Sequence, residues 1–222
     1  MIIREKTRKI FAVGVELGGS PQVTAISVVE LVPSPSSHTN PPSDPPTLHL
    51  RHLERFLPGT LHTEIARWFL DRLDSEMDLQ SKEKTPFGEL DVDVTVRLVI
   101  DQTDAGSGLV DMILEIVKKP ARRVIISGLH TQRYSAGITF VPKQELISIV
   151  QALLETGRLK FAEDLPSIEL LVDALINYQD RKTNPMLAAD TLREYPSDDL
   201  VLAVALACWE LKQDTRFSYE FL

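Results

Sequence analysis

Two apolar segments near the start of the chain, separated by a short glycine-rich stretch, most constrain the fold. Residues 9–17 (KIFAVGVEL) and 22–32 (QVTAISVVELV) are rich in β-branched residues and favour β-strands. Between them, Gly18, Gly19 and Ser20 supply the residue types of a tight turn. The chain is therefore predicted to begin with an antiparallel β-hairpin.

The next segments extend this hairpin and cover it. Residues 33–46 contain six prolines among serine, threonine and asparagine, which predicts an exposed, mobile loop. Residues 48–56 alternate apolar and polar side chains and predict a third strand that pairs with the hairpin. Residues 62–79 carry apolar side chains at helical spacing, so a helix is expected to cover the sheet.

The middle of the chain predicts a change to parallel pairing. A β-branched strand at 94–100 ends at Asp101, a helical stretch follows at 109–117, and a short apolar strand occupies 123–127. Strand, helix and strand in this order form a β-α-β unit with a parallel pair. Amphipathic helices are then predicted at about 142–155, 167–178 and 197–212. This order is that of a ribonuclease-H-like α/β fold, with a mixed sheet flanked by helices, although several α/β folds accommodate it.

Composition limits the class of protein. With 222 residues, 43% hydrophobic and 25% charged, the chain fits one globular domain over 1–222. Its only cysteine, Cys208, lies in an apolar run, so no intrachain disulfide is possible and no oxidising compartment is indicated. The absence of a signal peptide and of a run of ~20 apolar residues predicts a cytoplasmic protein without a membrane partner. A net charge of −8 argues against broad, nonspecific contact with nucleic acid.

Acidic residues stand beside apolar elements at three places: Glu16, Asp101, and the pair Asp198 and Asp199. Carboxylates are the hard ligands that hold two Mg²⁺ or Mn²⁺ ions about 3.5 to 4 Å apart for phosphodiester cleavage. Adjacent strand ends can bring Glu16 and Asp101 together. Each position also has an ordinary explanation: a solvent-facing strand residue at 16, a turn or cap at 101, and helix N-capping at 198 and 199.

Four stretches, in order, resemble the nuclease domain of the large terminase subunit of tailed bacteriophages. VGVELGGSPQVTAISVVE is similar to the first hairpin of that family, and LVIDQTDAGSGLVDMI to its strand that ends in Asp before a glycine-containing turn. VPKQELISIVQALLETGRLKF and YPSDDLVLAVALACWE are similar to its late helices, including an H-D-D-L-x-x-A-x-A-L-A pattern. The resemblance covers about residues 10–210.

The resemblance implies a metal-dependent endonuclease domain that cuts concatemeric viral double-stranded DNA during packaging, in a bacterial host and of phage or prophage origin. It implies Glu16, Asp101, Asp198 and Asp199 as catalytic ligands of two Mg²⁺ or Mn²⁺ ions, and Lys143 as a contact to substrate phosphate. Two departures from the family pattern are Glu at position 16, which lengthens a ligand arm usually supplied by Asp, and Ser at position 197 in place of His.

The family's packaging motor has no counterpart in this sequence. No G-x-x-x-x-G-K-[ST] motif occurs, so the ATPase is expected as a separate domain, with the portal or the small terminase subunit as further partners. One alternative is a DNA-binding or packaging-assembly module of the same fold that has lost cleavage, which Glu16, the missing motor motif and the acidic charge favour.

A further alternative comes from another class of protein. VGVELGGS is also similar to the first phosphate-binding hairpin of sugar kinases and actin-like ATPases, with DAGSG as a second phosphate loop. Those enzymes need two such domains around a cleft, for which 222 residues are scarcely sufficient. ATP binding in the absence of DNA distinguishes this alternative from a nuclease.

Overall fold

A computed structural model of the chain describes residues 8–18, 23–34, 45–80, 82–85, 88–162, 164–183 and 198–213, with backbone only within 73–91 and 178–183. The strands are β1 (Arg8–Glu16), β2 (Ala25–Val32), β3 (Thr47–Arg55), β4 (Lys82–Thr85), β5 (Gly88–Asp91), β6 (Asp93–Asp101), β7 (Ala121–Ser127), β8 (Arg133–Ser135), β9 (Ile138–Pro142) and β10 (Leu159–Phe161). The helices are α1 (His62–Gln80), α2 (Gly106–Val117), α3 (Lys143–Glu155), α4 (Ile168–Thr183) and α5 (Asp198–Lys212).

Eight of the described strands form one mixed sheet in the order β10-β3-β2-β1-β6-β7-β9-β8. The first three strands pair antiparallel, which confirms the strand pairing of the predicted hairpin and its third strand, while residues 19 and 20 of the predicted turn lie outside the described residues. Strand β6 then lies parallel to β1, and β7 lies parallel to β6, as the predicted β-α-β unit requires. Three antiparallel strands followed by parallel strands on the other side of β1, with helices on both faces, confirm the ribonuclease-H-like fold.

Helices cover both faces of the sheet, and alternate residues of each strand serve one face or the other. On the face of α1 and α2, Val13 and Val15 of β1 pack with Ile65 and Ile113. On the opposite face, Ile10 and Ala12 of the same strand belong to the larger core that contains α3, α4 and α5. Because side chains alternate between the two faces of β1, this one strand contributes to both hydrophobic cores.

Helix α5 differs from its predicted amphipathic character, because every side chain from Leu200 to Leu211 is buried. The helix lies between the sheet and helices α3 and α4, so it has no solvent-facing side. Its backbone touches the sheet at Gly14, and the hydroxyl of Ser27 donates to the carbonyl oxygen of Ala203 at 2.9 Å. Cys208 lies inside this helix, and burial raises the pKa of its thiol to about 12.

One predicted segment falls mainly outside the described residues. Residues 35–44 of the predicted proline-rich loop lie outside the described residues. Among the helices that are described, none combines the length and the apolar character needed to cross a bilayer.

Candidate functional site

The carboxyl ends of β1, β3 and β6 meet at one edge of the sheet. Glu16, the last residue of β1, is the register partner of Asp101, the last residue of β6. On the other side of β1, Ala25 pairs with Glu16, and Arg55 at the end of β3 pairs with Ala25. Two acids and one arginine therefore occupy a single row across four neighbouring strands.

The carboxyl groups of this row point towards the face that α5 covers. Side chains two residues apart on a strand share a face, so Glu16 lies on the side of Gly14, whose Cα faces the backbone of α5. Asp101 likewise shares the side of Val99, which belongs to the core around α5. The first turn of α5 begins beside this row and brings its own acids to it.

Glu16 and Asp101 share a hydrogen bond between their carboxyl groups. The other oxygen of Glu16, Oε2, is buried and has no hydrogen-bond partner among the described residues. Burial raises the pKa of Glu16 well above its usual value, and the negative charges of Asp101, Asp104 and Asp199 raise it further. Each of these carboxyl groups is therefore easier to protonate than an isolated one, and ionising both is costly.

Asp101 is almost fully buried and has a fixed orientation. Its Oδ1 accepts hydrogen bonds from the Thr103 backbone N–H at 3.0 Å, the Thr103 hydroxyl at 2.5 Å and the Ile126 N–H at 3.4 Å. Burial raises the pKa of Asp101, and hydrogen bonds from Glu16, Thr103 and Ile126 partly oppose that rise. Three donors hold Oδ1 in place, so the carboxyl group of Asp101 has a fixed orientation beside Glu16.

The two aspartates of α5 have different partners. Arg55 Nε donates to Oδ2 of Asp199 at 2.8 Å, and the backbone N–H groups of Asp199 and Leu200 also donate to that carboxylate. Burial raises the pKa of Asp199, against the effect of Arg55. Asp198 lies with Oδ2 at 4.0 Å from Nζ of Lys143, at the start of α3. Lys143 therefore belongs to the same edge of the sheet as the acids.

The residues at this edge fit a divalent cation chemically, although they do not form a complete coordination shell. Among the described residues, no three His, Cys, Asp or Glu side chains are grouped in a way that could hold a metal ion. Glu16 and Asp101 nevertheless offer hard oxygen donors side by side, and Glu16 Oε2 is buried without a hydrogen bond. A cation beside them would relieve the repulsion between two carboxylates.

Two residues of this site, Thr103 and Arg55, are not among the candidate site residues that the sequence patterns indicate. Thr103 follows Asp101 by two positions, and an Asp side chain that accepts from the backbone two residues later is a recognisable turn pattern. Arg55 has no such local signal. The register of β3 against β2 shifts between Val28 and Val29, and this irregularity decides which face Arg55 occupies.

The raised pKa of Glu16 predicts how stability depends on pH. A carboxyl group with a raised pKa binds more protons in the folded chain, so the free energy of unfolding falls as pH rises above the unfolded-state pKa of Glu16, near 4.5. Glu16→Gln removes the ionisable group and therefore this loss of stability at higher pH. In thermal melts with a chelator, the variant should melt close to the wild type at pH 4.5 and increasingly above it towards pH 8. A constant difference between the two across this range would contradict the assignment.

Solved structures of known proteins resemble this chain at low sequence identity and with TM-scores below 0.5. No family model matches the sequence, and no curated protein matches it. The human cytomegalovirus terminase nuclease domain, soaked in Mn, is 14% identical with a TM-score of 0.49, over 94% of this chain and 86% of that chain. The large terminase nuclease from the thermophilic phage G20c is 19% identical with a TM-score of 0.43, over 91% of this chain and 84% of that chain. Likenesses at this level assign no activity to the chain.

Proposed function

We propose that this chain is a metal-dependent endonuclease domain of the terminase type, which cuts concatemeric viral double-stranded DNA during packaging. The observation that carries the proposal is the meeting of Glu16 and Asp101 at one register position, with Asp199 close enough to raise the pKa of Glu16. A buried carboxyl group whose pKa is raised by burial and by neighbouring acids marks a candidate functional site, and carboxylate oxygens are the ligands that Mg²⁺ and Mn²⁺ prefer.

The acids at this edge would act together as the metal ligands. Glu16, Asp101 and one or both of Asp198 and Asp199 would hold two Mg²⁺ or Mn²⁺ ions, which supply the positive charge and Lewis acidity that phosphodiester hydrolysis needs. Thr103 and the Ile126 N–H fix the orientation of Asp101. No side chain at this edge needs to form a covalent bond to DNA.

Contacts to DNA would be local, because the net charge of the chain is −8. Lys143 lies at the acidic edge, where its ammonium group could meet a backbone phosphate next to the scissile bond. The remaining partners of this proposal are a separate ATPase motor, the portal or the small terminase subunit, in the cytoplasm of a bacterial host.

One specific observation favours a second candidate function, a DNA-binding or packaging-assembly module without cleavage. Glu16 and Asp101 bind each other, and Arg55 binds Asp199, so these carboxyl groups have partners without any cation. For the ATPase alternative we find no comparable support, because the described part of the chain forms one large sheet and those enzymes use two such domains.

The test is nicking of supercoiled plasmid DNA by the purified chain in MnCl₂ or MgCl₂, with a chelator as the control. An active nuclease should convert supercoiled plasmid to open-circle and linear forms only in the presence of the cation. Binding of Mn²⁺ without cleavage would identify the inactive module. Binding of ATP without DNA, in a chain that neither cleaves DNA nor binds Mn²⁺ in the absence of nucleotide, would overturn the proposal.

A further inference from the structure

The ion pair between Arg55 and Asp199 lies where cation and DNA would both arrive. We propose that the two residues exchange partners: Asp199 leaves Arg55 for a divalent cation, and the freed guanidinium binds a phosphate of the DNA backbone. This inference rests on the proposed function. It gives Arg55 two roles: Arg55 controls when Asp199 is available to the cation, and it contacts the DNA backbone once it is released.

The geometry supports an exchange rather than a purely structural bond. Arg55 Nε lies 2.8 Å from Asp199 Oδ2, with 23% of the Arg55 side chain and 12% of the Asp199 side chain exposed. The guanidinium therefore reaches solvent from the end of β3, while the carboxylate faces inward. Asp199 is also near enough for its charge to raise the pKa of Glu16.

Charge balance explains why the two exchanges belong together. Arginine keeps its proton at any physiological pH, so an Arg55 side chain that leaves Asp199 stays cationic and favours another anion. A phosphate is the anion that a guanidinium binds best, through paired hydrogen bonds. Asp199 in turn needs a new positive charge, which a cation beside Glu16 and Asp101 supplies. Cation and DNA phosphate should therefore favour each other's binding.

The same strand provides a matched control. Arg51 of β3 forms an ion pair with the buried Glu30, with Nη2 at 2.6 Å from Oε2 and side-chain exposures of 40% and 7%. This pair resembles Arg55 and Asp199 in charge and in the burial of the acid. It lies four residues back from the site edge, at roughly 13 Å for an extended strand. Arg51→Ala therefore changes the net charge equally without touching the site.

The experiment is calorimetric titration of MnCl₂ into the chain in the absence of DNA. Arg55→Ala should bind Mn²⁺ at least about fivefold more tightly than the wild type, because Asp199 no longer has to leave an arginine. Arg51→Ala should stay within about twofold of the wild type. Arg55→Gln should have the same effect. Its side chain keeps hydrogen-bond donors, so it serves as the second variant if the alanine variant does not fold. Thermal melts should show a larger stabilisation by Mn²⁺ in both Arg55 variants than in the wild type.

The second measurement is binding of a short DNA duplex in CaCl₂, by fluorescence anisotropy. Arg55→Ala should lose at least about fivefold more affinity than Arg51→Ala, since only Arg55 is expected to meet a phosphate at the site. Unchanged or weaker Mn²⁺ binding by both Arg55 variants would overturn the exchange.

A separate variant distinguishes failure of this inference from failure of the proposed function. If Asp101→Asn and the wild type bind Mn²⁺ alike, or neither binds it, no cation site depends on Asp101 and both proposals fall. If Asp101→Asn loses Mn²⁺ and the Arg55 variants do not gain affinity, the cation site stands and only the exchange is wrong.

Discussion

Asp101→Asn should reduce Mn²⁺-dependent plasmid nicking at least about a thousandfold, equivalent to roughly 4 kcal/mol of activation free energy. Asn keeps nearly the same shape and retains an oxygen that accepts from Thr103 and Ile126. It removes the negative charge that a divalent cation needs, and it removes the acid that is paired with Glu16 across the two strand ends. The fold should survive, because the substitution removes repulsion between two buried carboxyl groups.

Asp93→Asn is the control for this substitution. Asp93 begins the same strand at the opposite edge of the sheet, where its side chain is 60% exposed and lies 4.0 Å from Arg8. The control should cleave plasmid at the wild-type rate. Cleavage by Asp101→Asn within about tenfold of the wild type would remove Asp101 from the site.

Gly14→Ala should destabilise the chain by about 3 kcal/mol or more, which lowers the melting temperature by roughly 10 °C. A Cβ at this position would lie 2.1 Å from the Ala203 carbonyl oxygen and 2.8 Å from the Ala207 nitrogen. Both are backbone atoms of α5, so no side-chain rotation relieves the clash and the helix must move away from the sheet. Because the first turn of α5 carries Asp198 and Asp199, cleavage should fall as well.

Gly108→Ala is the matched control for this prediction. Gly108 lies in α2, and a Cβ there would meet nothing within 4 Å. Alanine in a helix is favoured over glycine by up to about 1 kcal/mol, so this variant should be slightly more stable than the wild type. Equal melting temperatures of Gly14→Ala and the wild type would show that α5 is not tightly packed on β1.

The sequence predicted the part of the fold that local patterns determine. Alternation and turn residues predicted β1 and β2, and a strand ending at Asp101 followed by a helix predicted the parallel pair of β6 and β7. Since parallel strands end at the same edge, these patterns also predicted that Glu16 and Asp101 could come together, and the register pairs them. Their roles as metal ligands stay a prediction.

Other features depend on contacts between distant residues. Strands β8 and β10 have three residues each, which is too short for a periodic pattern, and they exist through pairing with β9 and β3. Helix α5 is buried on all sides because α3 and α4 cover the side that faces away from the sheet. The sequence of α5 alone does not specify these contacts. The bond from Arg55 to Asp199 spans 144 positions and depends on the register shift in β2 and β3.

The most direct test of the central claim is a crystal structure of the chain soaked in MnCl₂, with anomalous diffraction at the manganese edge. We expect an anomalous peak beside Glu16 and Asp101, within about 2.5 Å of an oxygen of each, in place of the hydrogen bond between them. A map without a peak at this edge, with Glu16 and Asp101 still bonded to each other, would contradict it.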